Sequence, residues 1–355
     1  MTTGGSRGRS RRELAVAPAG AVTMQTVAEL AGVSAMTVSR ALKGDAAVLK
    51  ETRGRILKIV EETGYVPDAT ARFFATGRSG FVAALVPSLN NSNFADTVRG
   101  MSEIFDIAGL QMLLGDTEYS LEREENLVRA FLRRRPEAII LTGGVHTQPA
   151  RTMLDRAEAP IVETWDLPRR PLGDVVGFSN EKAGAAITRY LYEKGRRRIG
   201  FIGGEPNGDV RGAQRRRGFE QAARELGLPA ERIVAKGKPP ISMAHGADAL
   251  DAMLKAWPDA DAIVCVSDLS AFGVLAECQR RGLDVPGRIA IAGFGDFEVA
   301  RCCHPRLTTV AVDCAGIGRR AAEVALAALE AKIHNAPRKP ATTRVEFRVV
   351  PRETA

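Results

Sequence analysis

The chain has 355 residues, 45% hydrophobic and 26% charged, which suits two or three domains with a sizeable core. No apolar run approaches the ~20 residues that span a bilayer, and the arginines of MTTGGSRGRSRREL precede no apolar stretch, so neither a membrane segment nor a secretory signal is expected and a cytoplasmic location is. The net charge of +8 is unevenly spread: residues 1–80 hold 12 Lys/Arg against 7 Asp/Glu, a bias that suits a polyanionic partner.

Cysteines and histidines exclude further classes. Cys265, Cys278, Cys302, Cys303 and Cys314 are odd in number and form no C-x-x-C pair, so buried, reduced thiols are expected rather than disulfides or zinc. His146, His245, His304 and His334 are dispersed, without metal-ligand spacing. No G-x-G-x-x-G follows a strand, and no phosphate loop or G-x-S-x-G occurs. Neither an enzyme nor a cofactor is expected, and no metal.

Residues 1–22 read as a disordered basic arm, with Arg7, Arg9, Arg11 and Arg12 available to phosphates or serving only solubility. From Thr23 the pattern turns helical. Val27, Leu30 and Ala31 share one face, Gly32 suits a left-handed C-cap, and Ser34 an N-cap. A second helix follows with Val38 and Leu42 inward, ending at Gly44. Two short helices on a Gly turn predict a helix-turn-helix whose second helix enters the major groove, exposing Ala35, Met36, Thr37, Ser39 and Arg40. A third helix between Leu49 and Tyr65 closes the small core with Ile56, Ile59 and Val60. Pro67 stops it, and Asp68 caps a short helix from Ala69 to about Thr76 that needs a partner to persist.

Beyond residue 80, apolar strands alternate with helices. Strands start at Phe81, Leu110, Ala138, Pro160, Arg198, Ala262 and Ile289, with a last one from Arg344. Helices cover Thr97–Gly109, Arg123–Arg134, Lys182–Lys194, Arg215–Leu226, Ala247–Trp257, Ser270–Arg281 and Ile317–Ile333. This is an α/β pattern with two parallel sheets, broken into two runs around 166–180. Ligands bind beyond the carboxyl ends of such strands. Those ends carry Ser88, Asn93 and Phe94, then Trp165 and Asn180, then Ser267, Asp268 and Asp296; each could equally serve as a cap or turn residue.

The run T-M-Q-T-V-A-E-L-A-G-V-S-A-M-T-V-S-R-A-L from Thr23, continued by G-Y-V-P-D-A-T-A-R-F-F-A-T-G-R-S from Gly64, resembles the signature and hinge helix of the lactose-repressor (LacI/GalR) family over essentially residues 22–352. The resemblance implies a basic arm at 1–22, a helix-turn-helix domain at 23–66, a hinge helix and linker at 67–80, and a two-lobed sensor resembling periplasmic binding proteins at 81–352. Its N-lobe is expected at about 81–166 plus 310–340, its C-lobe at about 175–307 plus 341–352. Ala35 and Met36 match base-reading positions, where apolar contact with thymine methyls is the readout they allow. Arg40 matches the arginine near the end of the recognition helix; Thr37 and Ser39, with Thr23, Thr26 and Ser34, complete the implied DNA-contacting set. Phe74 matches the minor-groove wedge, normally leucine, and Ala71 the small residue beside it.

In the sensor, Arg215 matches the arginine that clamps effector hydroxyls or carboxylates. The acid found in many sugar-binding members at the position of Gly295 stands here one residue later, at Asp296. E-T-W-D-L-P from Glu163 and G-F-G-D-F-E from Gly293 resemble the gluconate-utilisation repressor branch, and a sugar acid or sugar phosphate suits Arg215. The expected protein is a homodimeric repressor of a near-palindromic operator, released or engaged by a small metabolite. The alternatives are an activator or corepressor-dependent regulator and, more distantly, a solute-binding protein or enzyme.

Overall fold

A computed structural model of the protein describes residues 22–66, 78–205 and 208–355. The expectations for the basic arm, the hinge helix, Ala71 and Phe74 lie outside the described residues. The chain divides into two compact units, residues 1–78 and 79–355.

The first unit holds α1 (Met24–Ala31), α2 (Ala35–Leu42) and α3 (Lys50–Thr63). Thr23 and Thr26 form a reciprocal capping box at the start of α1, and Gly32 closes that helix at φ +64°, a conformation glycine adopts without penalty. Ser34 caps α2 by accepting from the Thr37 amide at 3.2 Å. Val27, Ala28, Ala31, Val38, Ala41, Val48, Ile56 and Tyr65 form the core. Leu30 is not part of it. It is 59% exposed, because the eight residues of α1 give a narrow buried stripe that the small Ala28 fills instead.

The second unit contains two six-stranded sheets. The first takes β1 (Phe81–Val86), β2 (Gln111–Asp116), β3 (Ile139–Thr142), β4 (Ile161–Thr164), β5 (Asp174–Gly177) and β11 (Thr342–Arg344), in the order β11-β5-β4-β3-β1-β2. The second takes β6 (Ile199–Gly203), β7 (Ile233–Ala235), β8 (Ala262–Cys265), β9 (Ala290–Phe294), β10 (Thr308–Val312) and β12 (Phe347–Val350), in the order β12-β10-β9-β8-β6-β7. Every pairing is parallel except β10 with β12. The interior strands are buried on both faces, as helix-covered parallel sheets require.

Three expected lobe boundaries need correction. Strand β5 at 174–177 completes the first sheet rather than opening the second half. Strand β10 belongs to the second sheet, although the helix after it packs on the first. Strand β11 at 342–344 returns to the first sheet beside β5. The chain therefore passes between the halves three times, at 178–179, at 313 and at 345–346.

Helices α4 (Ser92–Ile107), α5 (Leu121–Leu132), α6 (Gln148–Asp155) and α12 (Cys314–Ile333) accompany the first sheet; α7 (Asn180–Glu193), α8 (Val210–Glu225), α9 (Met243–Ala256), α10 (Asp268–Arg280) and the short α11 (Glu298–Cys302) accompany the second. Three helix pairs touch backbone to backbone through reciprocal glycines. A Cβ on Gly184 or Gly218 would sit 2.2 Å from the Arg215 carbonyl oxygen and 1.9 Å from that of Glu181, respectively. Gly100 and Gly318 do the same between α4 and α12, and Gly246 and Gly273 between α9 and α10. These contacts fix the depth of each helix and so the height of the side chains at its start.

Candidate functional site

The carboxyl ends of the two sheets face one cleft. Arg215 enters it from α8, held to α7 by the Gly184–Gly218 contact. Its Nη1 donates to Asn180 Oδ1 at 2.7 Å, and its guanidinium lies 4.3 Å from the centroid of the Phe294 ring. Asp209 Oδ2 is 3.6 Å from Nη2. Burial lowers the pKa of this arginine, opposed by Asp209 and reinforced by Arg211. Three buried polar atoms here have no partner among the described residues: Arg215 Nε, Asp209 Oδ1 and Gln214 Oε1. Leaving such groups unsatisfied costs about 1–3 kcal/mol each, so one donor and two acceptors await hydrogen bonds at one wall.

The chain of contacts continues across the cleft. Asn180 Nδ2 donates to the Trp165 carbonyl at 2.9 Å, and Trp165 Nε1 donates to Thr97 Oγ1 at 3.1 Å. The Thr97 hydroxyl reaches the carbonyls of Asn93 (2.8 Å) and Cys314 (3.1 Å), joining α4 to α12. Trp165 sits at φ +66°, a costly conformation for a bulky residue, held between Phe94 and Phe178 with ring centroids at 5.3 and 5.8 Å. Phe178 in turn packs on Phe294 and Phe347. An aromatic column thus lines the cleft beside two of the three crossovers.

Of the sequence-derived effector residues, Phe94, Trp165, Asn180 and Arg215 come together here. Asn93 is buried at the start of α4, and a Cβ on Gly295 would lie 2.7 Å from its Nδ2; the glycine admits that amide from the opposite half. Ser88 is buried, and its Oγ accepts from the Asn90 amide at 3.2 Å.

Three further expected effector residues have partners within the protein. Ser267 is the N-cap of α10. The Asp268 carboxylate is fully buried and accepts from Thr309 Oγ1 at 2.6 Å and the Phe297 amide at 2.8 Å; burial pushes its pKa up to about 7. It ties α10 to β10 and to the start of α11. Asp296 pairs with Arg352 at 2.5 Å and Arg301 at 3.4 Å. The consecutive positive φ angles at Gly295 and Asp296 turn the chain there, so displacing the acid by one residue gives it arginine partners within the protein.

Sequence reasoning missed Tyr119, Asp209 and Arg211. The Arg211 guanidinium lies 5.6 Å from the Phe94 ring centroid and 5.9 Å from that of Tyr119, and its Nη1 donates to the Thr142 carbonyl at 3.1 Å. Its four-residue spacing from Arg215 on one helix face was the available signal. Tyr119, whose pKa is pushed up to about 12 chiefly by burial and then by Asp209, follows β2 in a tight turn at φ +58°. Behind this wall His146 is sandwiched between Glu124 (2.6 Å) and Glu163 (3.3 Å). Burial disfavours its charge, but the two carboxylates outweigh that and raise its pKa to about 9.

In the first unit, α2 presents Met36 at 63% exposure, with Ser34 and Arg40 also exposed and Ala35, Thr37 and Ser39 half-exposed. The hydroxyl pairs Thr23–Thr26 (3.0 Å) and Ser34–Thr37 (2.9 Å) cap α1 and α2 from the surface, leaving lone pairs for an outside partner.

Residues 23–68 match the sequence profile of bacterial regulatory proteins of the lacI family, and residues 188–355 match that of a periplasmic binding protein-like domain. The HTH-type transcriptional regulator GntR of Pseudomonas aeruginosa is 37% identical over 313 residues, 88% of this chain and 91% of that protein. The chain belongs to the lacI family of bacterial regulatory proteins. A lacI-family transcriptional regulator from Silicibacter pomeroyi superposes with a TM-score of 0.86 at 33% identity, covering 94% of this chain and 99% of that one. The HTH-type transcriptional repressor CytR of Escherichia coli is 30% identical over 85% of this chain and 88% of its own length. The lacI-family relatives are DNA-binding transcriptional regulators, and this chain is a regulator rather than an enzyme. The family resemblance in the opening residues and the α/β reading of the remainder both hold. No helix among the described residues is long and apolar enough to cross a membrane.

Proposed function

We propose that this lacI-family regulator is a homodimeric repressor whose grip on a near-palindromic operator is set by an anionic, polyhydroxylated effector of the sugar-acid class. The observation that carries the effector assignment is the buried Arg215, flanked by the unpartnered Nε, Asp209 Oδ1 and Gln214 Oε1. A ligand that brings a negative charge and several hydroxyls satisfies donor and acceptors together. Similarity to GntR supports the regulatory reading, and similarity to the repressor CytR supports the sign of control. Phe94, Trp165, Asn180 and Arg215 form the effector set, with Asn93 and Ser88 at its margin.

On DNA, Ala35 and Met36 read thymine methyls, Arg40 meets guanine or phosphate, and Thr23, Thr26, Ser34, Thr37 and Ser39 contact the backbone. Ala71 and Phe74 act in the minor groove. The effector draws the halves about the three crossovers and shifts operator affinity through its preference for one cleft geometry.

Fluorescence anisotropy on a labelled duplex from the gene's own upstream region tests this. We expect salt-dependent binding, changed at least tenfold by an aldonic acid and not by neutral pentoses. Equal affinity for scrambled duplex, with or without these compounds, would end the proposal.

A further inference from the structure

Resting on the sugar-acid reading above, we infer that Arg211, not Arg215 alone, determines the specificity of the cleft by receiving the effector's carboxylate. Arg211 is 7% exposed, yet among the described residues its only side-chain hydrogen bond goes to a neutral acceptor, the Thr142 carbonyl at 3.1 Å. A guanidinium carries five N–H donors, so a buried arginine with one such bond holds most of its capacity in reserve. It lines a small cavity between the halves together with Tyr119, Glu124, Thr142, Gly143 and Val210.

Among the described residues no carboxylate pairs with Arg211. Asp209, Arg211 and Arg215 all act on Tyr119. Asp209 lies beside Arg215, and Glu124 is engaged by His146 at 2.6 Å. The space is also reserved: a Cβ on Gly143 would stand 2.8 Å from Arg211 Nη1. The rings of Phe94 and Tyr119 hold the guanidinium in place, and the low exposure of the residue strengthens a charge-assisted bond.

Arg211 and Arg215 lie one turn apart on the same face of α8. A linear ligand placing its carboxylate on Arg211 can therefore lay its hydroxyls toward Arg215 Nε and Asp209 Oδ1. The Thr142 carbonyl takes one N–H of the guanidinium, and the remaining edge can offer a carboxylate the stronger, two-pronged contact. Arg211 is thus the group that separates an acid from the matching neutral polyol.

Isothermal titration of the full chain with gluconate and with glucitol, which has the same carbon chain and no charge, tests the assignment in wild type, Arg211→Gln and Arg211→Lys. The wild type is expected to prefer gluconate. In Arg211→Gln the gluconate-to-glucitol affinity ratio falls ~10–100-fold, the worth of a charge-assisted hydrogen bond, and Arg211→Lys recovers part of it because charge returns without the planar fork. If the wild type prefers gluconate and Arg211→Gln keeps the same ratio, Arg211 is not the discriminator while the sugar-acid reading stands. If the wild type shows no preference for the acid, both readings fall. Thermal melting of each unliganded variant shows whether it is folded, and the Lys variant carries the test should the Gln variant not fold.

Discussion

Removing the proton from His146 should loosen the loop that supplies the cleft with Thr142 and Gly143. The imidazole is 1% exposed and bridges Glu124 on α5 to Glu163 on β4. Its pKa rises from 6.5 to about 9 in the folded protein. Folding therefore binds this proton more tightly than the unfolded chain does. The resulting stability is fully present below pH 6.5, declines between 6.5 and 9, and is absent above 9. At ~1.4 kcal/mol per pH unit, the whole effect is on the order of 3 kcal/mol. The assay is urea unfolding of wild type and His146→Gln at half-unit intervals from pH 6 to 10. The stability difference should be greatest at pH 6 and shrink steadily toward pH 9. A difference that stays constant across this range would show that the imidazole carries no excess proton in the fold, and the argument would fail.

Other perturbations probe separate layers. Gly218→Ala must push α8 from α7, because its Cβ would meet the Glu181 carbonyl oxygen at 1.9 Å; a loss of at least ~1–3 kcal/mol is expected by urea unfolding, with weakened effector binding. Arg215→Ala should abolish the thermal stabilisation that an aldonic acid gives the wild type, read by differential scanning fluorimetry. Ser34→Ala removes the cap of α2 and should cost about 1 kcal/mol, seen as faster amide exchange in α2 with no change beyond residue 80.

Much of the architecture is readable from the chain because the local signals agree. Gly32 and Ser34 stop and restart a helix within three residues, and the apolar strands of the sensor leave little choice but a sheet covered on both faces. The lobe boundaries were misread where that logic thins. Strand β5 reads Asp-Val-Val-Gly, with only two apolar residues between an acid and a glycine, and β11 reads Thr-Thr-Arg, without an apolar pattern at all. At the site, Arg215 could be chosen because it matches the lacI-family arginine inside the helix that follows β6, and Phe94, Trp165 and Asn180 because each closes or follows a strand. Asp268 and Asp296 could be chosen on the same grounds, yet their partners Thr309 and Arg352 lie 41 and 56 positions away, a distance over which sequence gives no warning. Tyr119 depends on a left-handed backbone that no neighbouring glycine announces.

The threefold passage of the chain between the sheets limits what evolution or an engineer can do with this sensor. Neither half is a contiguous stretch that could be excised or exchanged as a cassette: the first sheet needs residues from 342–344, and the second ends only at 347–350. Any relative movement of the halves must strain all three connections alike, which permits swivelling about the line they share and resists sliding.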